Sequence, residues 1–325
     1  MKESKAVRRR AGRRSPIAIR GLLGLVGVVT ASLLTGTTRA MGASLRQTGV
    51  ARAAVEDALR CPDRLGRRPV VLLIHGTGST GGESWSETYE PALTVRRFDV
   101  CTVDVIGREV GDMQDSSAFV AETIRAVFKK AGRPIAVIGH SQGAMLPRAA
   151  VKWWPDLSTK ITDIIMLAGP HHGTGVADLL CEKVCVPAVW QLRAKSAFIA
   201  ALNESDESPG RPSYTSIRST TDEVVFPEST AKVSGAVNVA VQDLCPGRKV
   251  SHVGMIVDNV AFAVTLDALR NPGPAKVDRI AGDVCDSAYV NGMNPAAADE
   301  AGKKAGAALA NGLVASEPPL RSPAV

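Results

Sequence analysis

The chain has 325 residues, 45% of them hydrophobic and 22% charged, enough apolar material for a full core and too mixed for a disordered or collagen-like polypeptide. Its formal charge is +7, but the first 40 residues hold nine Lys or Arg against one acid, Glu3, leaving 30 basic and 31 acidic residues elsewhere. Because the basicity is confined to a leader, nucleic acid is not an expected partner.

Residues 1–40 read as an export signal. A basic run reaches Arg20, an uncharged stretch follows from Gly21 to Thr38, and Thr38-Arg39-Ala40 gives a small-x-small cleavage site ahead of Met41. The apolar heart, Leu22 to Leu34, falls short of the roughly 20 residues a spanning helix needs. Arg13-Arg14 leaves the Sec and twin-arginine routes both open. The first cysteine, Cys61, comes too late for a lipid-anchored N-terminus. Export predicts a secreted protein, with residues 41–325 as one domain.

Beyond the leader, apolar runs bounded by Gly, Pro and Asp alternate with helical stretches, the pattern of an α/β fold with a mostly parallel sheet and helices on both faces. Predicted strands are Val70 to Ile74, Val100 to Asp104, Ile135 to Ile138, Ile164 to Leu167, Tyr214 to Ser219 and Val237 to Val241. Several are continuously apolar, as strands covered on both sides must be. The spacing of Phe119, Val120, Ile124, Val127 and Phe128 predicts a helix over Ala118 to Lys130. A second helix follows over Gly143 to Trp154, with Pro147 in about its first turn, where it is tolerated.

Gly173 to Ala200 interrupts the sheet pattern and reads equally as a lid over a site or as a pair of core helices. Pro295 to Ala315 is alanine-rich and helix-prone. The residues after it, with Pro318, Pro319 and Pro323, are expected to fray. No repeat or second domain is evident.

The loop after the first strand, Gly76-Thr77-Gly78-Ser79-Thr80-Gly81, spells G-x-G-x-x-G, with Asp104 closing the next strand about 20 residues on, so a dinucleotide site must be weighed. Against it, no apolar helix pattern opens at Gly82-Glu83-Ser84, and an exported enzyme seldom meets nicotinamide cofactors. No cofactor is expected.

Six cysteines in an exported chain point to disulfides. The separations favour nearest-neighbour pairs, Cys61 with Cys101, Cys181 with Cys185 and Cys245 with Cys285, although other pairings and metal ligation compete. No C-x-x-C spacing supports zinc, and no metal is expected.

The sharpest feature is Gly139-His140-Ser141-Gln142-Gly143 between a strand and a helix, which is G-x-S-x-G in the context it requires. The turn is so tight that glycines must flank it, and it lifts the serine hydroxyl to a helix N-terminus. In this architecture an acid and then a histidine follow in the chain. His75 and His140 precede Ser141 and His171 and His172 follow it at once; His252 alone lies beyond the later strands. Asp222 leaves the strand Tyr214 to Ser219, with Glu223 as the nearest substitute. A Gly-rich turn, a solvated aspartate and a surface histidine are the bland alternatives. An oxyanion hole would take the N–H of Gln142 and donors from Thr77.

At these residues the chain resembles the α/β-hydrolase lipases. The likeness runs through Gly76-Thr77-Gly78, Ser141-Gln142-Gly143, Pro187 to Gln191, Thr221-Asp222-Glu223 and Cys245-Pro246-Gly247. The resemblance implies a Ser141, Asp222, His252 triad, an oxyanion hole at Thr77 and Gln142, and cofactor-free hydrolysis of carboxylic esters, acylglycerols included. The substrate would be an ester or lipid, met in solution or at a lipid–water interface, with no obligate protein partner evident. The resemblance also implies the Cys61–Cys101 and Cys245–Cys285 pairs. Cys181 and Cys185 are an addition, and a C-terminal disulfide of the resembled lipases is lacking. Two pocket positions depart: His140 replaces a tryptophan, and Pro170-His171-His172 replaces a stretch holding an acidic residue. Thioesterase, amidase and acyltransferase chemistry, or a non-enzymatic secreted binding protein, would fit the same residues.

Overall fold

The computed structural model describes residues 49–321, so the export signal read at residues 1–40 lies outside the described residues. Seven strands form one sheet in the order β1-β3-β2-β4-β5-β6-β7. They are β1 (Leu59–Arg60), β2 (Val70–Ile74), β3 (Asp99–Val103), β4 (Ile135–His140), β5 (Ile161–Leu167), β6 (Ser213–Arg218) and β7 (Val237–Ala240). All pair parallel except β1, which joins β3 antiparallel. All five residues of β2 are buried, because a central parallel strand has helices on both faces and no polar side to show. Together with its neighbouring strands and helices, this is an α/β-hydrolase fold.

Along the chain the helices are α1 (Arg52–Ala58), α2 (Gly81–Trp85), α3 (Tyr89–Thr94), α4 (Met113–Ala131), α5 (Gln142–Trp153), α6 (Gly175–Leu180), α7 (Pro187–Gln191), α8 (Ala197–Asn203), α9 (Val241–Leu244), α10 (Asn259–Arg270) and α11 (Pro295–Ala308). Helices α4 and α5 pack with Phe119, Ile124, Leu146 and Val151 against one face of the sheet. Helices α3 and α10 cover the other, where Tyr89 lies edge-on between Trp85 and Phe262. Local chemistry sets the ends. Asp112 accepts the N–H of Gln114 at 2.8 Å to start α4, and Gly132, at φ 66°, stops it. Asp258 accepts the N–H groups of Val260 and Ala261, both at 2.9 Å, to start α10.

Several boundaries differ from expectation. Strand β5 begins at Ile161, ahead of the predicted Ile164, because Thr162 and Asp163 break its apolar run. Helix α5 starts directly after Ser141, which moves Pro147 into its second turn. Segment 173–200 divides into α6, α7 and α8. Ala188, Val189, Phe198 and Leu202 of the latter two are buried, while Leu179 and Leu180 of α6 are exposed. The tail does not fray before residue 321. Glu317 accepts the N–H groups of Ala197 and Phe198, and Arg321 forks onto Asp112 and Asp115 at 2.8 Å each, so charge holds what composition does not.

The structure pairs Cys61 with Cys101, Cys181 with Cys185 and Cys245 with Cys285. Among the described residues no helix is long and apolar enough to cross a membrane, and no cluster of three or more His, Cys, Asp or Glu could hold a metal ion.

Candidate active site

The parallel register aligns Ile74, Gly139, Met166, Ser216 and Asn238 in one row, so the segments following β2, β4 and β6 leave the same edge of the sheet. At that edge of an open α/β sheet ligands bind. Ser141 sits there at φ 57°, ψ −126°, a backbone that a non-glycine residue holds only when its surroundings force it. Those surroundings are glycines. A Cβ on Gly139 would overlap the Gly143 carbonyl, one on Gly143 would overlap the His75 carbonyl, and one on Gly76 would stand 2.9 Å from the Ser141 Cβ. Gly143→Ala is therefore expected to cost roughly 3 kcal/mol or more, since the obstructing atoms are backbone and cannot repack. Chemical denaturation measures it, and an unchanged midpoint would mean that the elbow opens freely.

Ser141 Oγ donates to His252 Nε2 at 2.9 Å, and His252 Nδ1 donates to Asp222 Oδ2 at 2.9 Å. All three residues are buried. Asp222 Oδ1 also accepts the N–H groups of Val224 and Val225, each at 2.8 Å. Burial pushes this carboxyl up, but the hydrogen bond and charge of His252 and the two N–H groups outweigh it and hold the pKa below the usual carboxylate value. Glu223, the substitute acid of the sequence, instead accepts the backbone N–H of His252 at 3.0 Å. His140 Nε2 donates to the His252 carbonyl, also at 3.0 Å. The histidine is thus held at its ring, its N–H and its C=O.

The Gly76-Thr77-Gly78 loop is fixed from behind. The Val105 N–H donates to His75 Nε2 at 3.0 Å, so the ring proton lies on Nδ1 and reaches the Gly76 carbonyl at 2.9 Å. Burial lowers the His75 pKa to about 4 against the raising effect of that carbonyl, so the ring is neutral. Gly78 exchanges two hydrogen bonds with Arg108: its N–H to the Arg108 carbonyl at 2.6 Å, and its carbonyl from Arg108 Nε at 2.9 Å. The Thr77 hydroxyl donates to Gln142 Oε1 at 2.7 Å, and among the described residues the backbone N–H groups of Thr77 and Gln142 have no backbone hydrogen-bond partner.

This geometry also accounts for the G-x-G-x-x-G string. Asp104, in the place of a ribose-binding acid, accepts the Gly81 N–H at 2.8 Å, and a Cβ on Gly78 would collide with Ala305 of α11. Gly78 and Gly81 of the string are thus packed against protein.

A cavity opens above Ser141. Its walls are Gly76, Thr77, Ser79, Ser84 and His140 on one side, Val253 and Ile256 beside His252, and Ala298, Ala301, Gly302 and Ala305 of α11 on the other. No residue of 173–200 lines it; the cover comes from α11, whose alanine-rich sequence announced a helix but not its docking site. His171 is buried apart from the cavity lining, its ring nitrogens without hydrogen-bond partners among the described residues. Burial, aided by Arg148, holds its pKa well below the ordinary value. His172 Nε2 meets Glu207 at 3.0 Å.

Residues 118–261 match the model of the family described as Lipase (class 2). The chain is 26% identical to lipase B of Pseudozyma antarctica over 210 residues, which are 62% of this chain and 61% of that protein, less than two thirds of its length. The crystal structure of Aspergillus fumigatus lipase B superposes with a TM-score of 0.80 at 25% identity, over 86% of this chain and 73% of that one. Mature Bacillus licheniformis lipase BlEst2 shares the fold, with a TM-score of 0.54 at 19% identity over 65% of this chain and 97% of its own.

Proposed function

We infer that this chain, an α/β-hydrolase similar to the class 2 lipases, is a secreted serine esterase or lipase that cleaves carboxylic esters through an acyl-enzyme. The support is the unbroken relay from Ser141 Oγ through His252 to Asp222, on a serine whose backbone is held in a strained conformation beside two ready N–H donors.

In the first step Ser141 Oγ attacks the ester carbonyl carbon and gives its proton to His252 Nε2. The carbonyl oxygen becomes an oxyanion facing the N–H groups of Gln142 and Thr77. Collapse breaks the bond to the alcohol, whose oxygen takes the proton from His252, and leaves the acyl group on Ser141. In the second step a water gives its proton to His252, its oxygen adds to the acyl carbon, and the acid departs as Ser141 recovers its proton. Asp222 keeps the imidazole in the Nδ1–H tautomer and stabilises its protonated form between these transfers. Export is supported by the leader and by three disulfides, which persist in oxidising compartments.

The test is hydrolysis of p-nitrophenyl esters from short to long acyl chains, with and without an alkyl phosphonate that labels active serines. Turnover abolished by the phosphonate, with the added mass on the peptide holding Ser141, is the expected result. The acyl-length profile then separates esterase from lipase. Absence of both turnover and label would overturn the proposal in favour of a binding protein on a hydrolase scaffold.

A further inference from the structure

We propose that His140 selects the alcohol half of the substrate: its free ring nitrogen accepts a hydrogen bond from a leaving group that carries a hydroxyl next to the ester, as in the monoester of a vicinal diol. The inference rests on the esterase reading of Ser141 and names the substrate class of that site.

His140 closes β4 and precedes Ser141, and its tautomer is fixed by its surroundings. A carbonyl oxygen can only accept, so the 3.0 Å contact from His140 Nε2 to the His252 carbonyl places the ring proton on Nε2. The lone pair is therefore on Nδ1. That atom makes no hydrogen bond among the described residues and faces Gly76, 3.5 Å from where a Cβ there would stand. Gly76 and His140 both line the cavity above Ser141. Burial, helped by the neighbouring His252, lowers the His140 pKa to about 3, which keeps Nδ1 an acceptor at any working pH.

The alcohol must occupy this side of the cavity. His252 Nε2 hands its proton to the departing oxygen, so the leaving group lies beside the His252 ring, and the His140 ring rests against it at 4.8 Å between centroids. Elsewhere on the wall Ser79 and Ser84 share a hydrogen bond at 2.8 Å, Ser79 Oγ donates to the Thr80 carbonyl at 3.3 Å, and α11 contributes alanine and glycine. A wholly apolar alcohol would displace water from Nδ1 and return nothing, whereas a hydroxyl replaces the lost hydrogen bond. Sites built around a polar group discriminate in this manner because the poor substrate leaves that group unpaired.

The probes are 2-hydroxyethyl butanoate and propyl butanoate, which are nearly isosteric and differ by one hydroxyl. The wild-type enzyme is expected to favour the hydroxyethyl ester about tenfold in kcat/KM, the effect of one neutral hydrogen bond. His140→Phe should bring the ratio close to one, and His140→Gln, which keeps both a donor and an acceptor, should restore part of it. Because each ratio is taken within one enzyme, a general loss from a displaced His252 cancels. Equal wild-type rates on the two esters, or a preference that survives in His140→Phe, would overturn the role of His140 while leaving the esterase intact. No turnover of either ester, with no phosphonate label on Ser141, would overturn both. If the phenylalanine variant does not fold, the ratio in His140→Gln carries the comparison: a ratio below that of the wild type is expected, and an unchanged ratio would overturn the role of His140.

Discussion

Ser141→Ala is expected to lower kcat by roughly a millionfold, the scale on which removing a nucleophile collapses a triad that acts as a unit. The substitution removes one oxygen and adds no bulk, so the elbow keeps its φ of 57° and its flanking glycines keep their contacts. His252 loses the partner at Nε2 but remains tied to Asp222, Glu223 and His140. Melting temperature should therefore stay near that of the wild type while ester turnover vanishes, and the two measured together separate lost chemistry from lost folding. The residual rate would come from the oxyanion N–H groups and substrate positioning. Near-normal turnover would place the nucleophile elsewhere.

Asp222→Asn should reduce kcat about ten-thousandfold through a change of tautomer. Two backbone N–H groups, from Val224 and Val225, point at Oδ1, so the amide oxygen of asparagine must take that position. Its NH2 then replaces Oδ2, the nearer of the two oxygens that face the His252 Nδ1 proton, at 2.9 Å against 3.1 Å for Oδ1. Two donors cannot face one another, so the imidazole moves its proton to Nε2 and presents a donor to Ser141 instead of a base. Binding contacts are untouched, so the loss should fall on kcat with KM little changed. A loss confined to KM would mean that Asp222 shapes the pocket instead.

Much of this site was legible because its chemistry leaves local marks. A serine at positive φ on a strand-to-helix turn needs glycine at Gly139 and Gly143, and those letters stand in the sequence whatever the rest of the chain does. The expected and observed bounds of β2 coincide, since burial on both faces writes an unbroken apolar run from Val70 to Ile74. Other features carried no such mark. The two residues of β1 are too few for any periodicity, and the sequence reading gives no helix over the apolar stretch of α10 although Asp258 stands at its start. That α11 walls the cavity depends on distant pairings, Ala305 over Gly78 and Gly302 against Val253, which composition cannot encode. In the sequence Glu223 is no more than a spare acid, because its bond to the His252 backbone exists only once two loops meet.

The three-point hold on His252 bears on the height of the barrier itself. A loop residue ordinarily samples many orientations, and a base that had to find its alignment in every cycle would add that search to each turnover. Here the ring, the amide and the carbonyl are tethered separately, to Asp222, Glu223 and His140. In the proposed reaction the proton travels between the serine oxygen, the imidazole and the departing oxygen while the heavy atoms of the ring stand almost still. The reorganisation energy of that step is kept low in advance, because folding has already done the aligning.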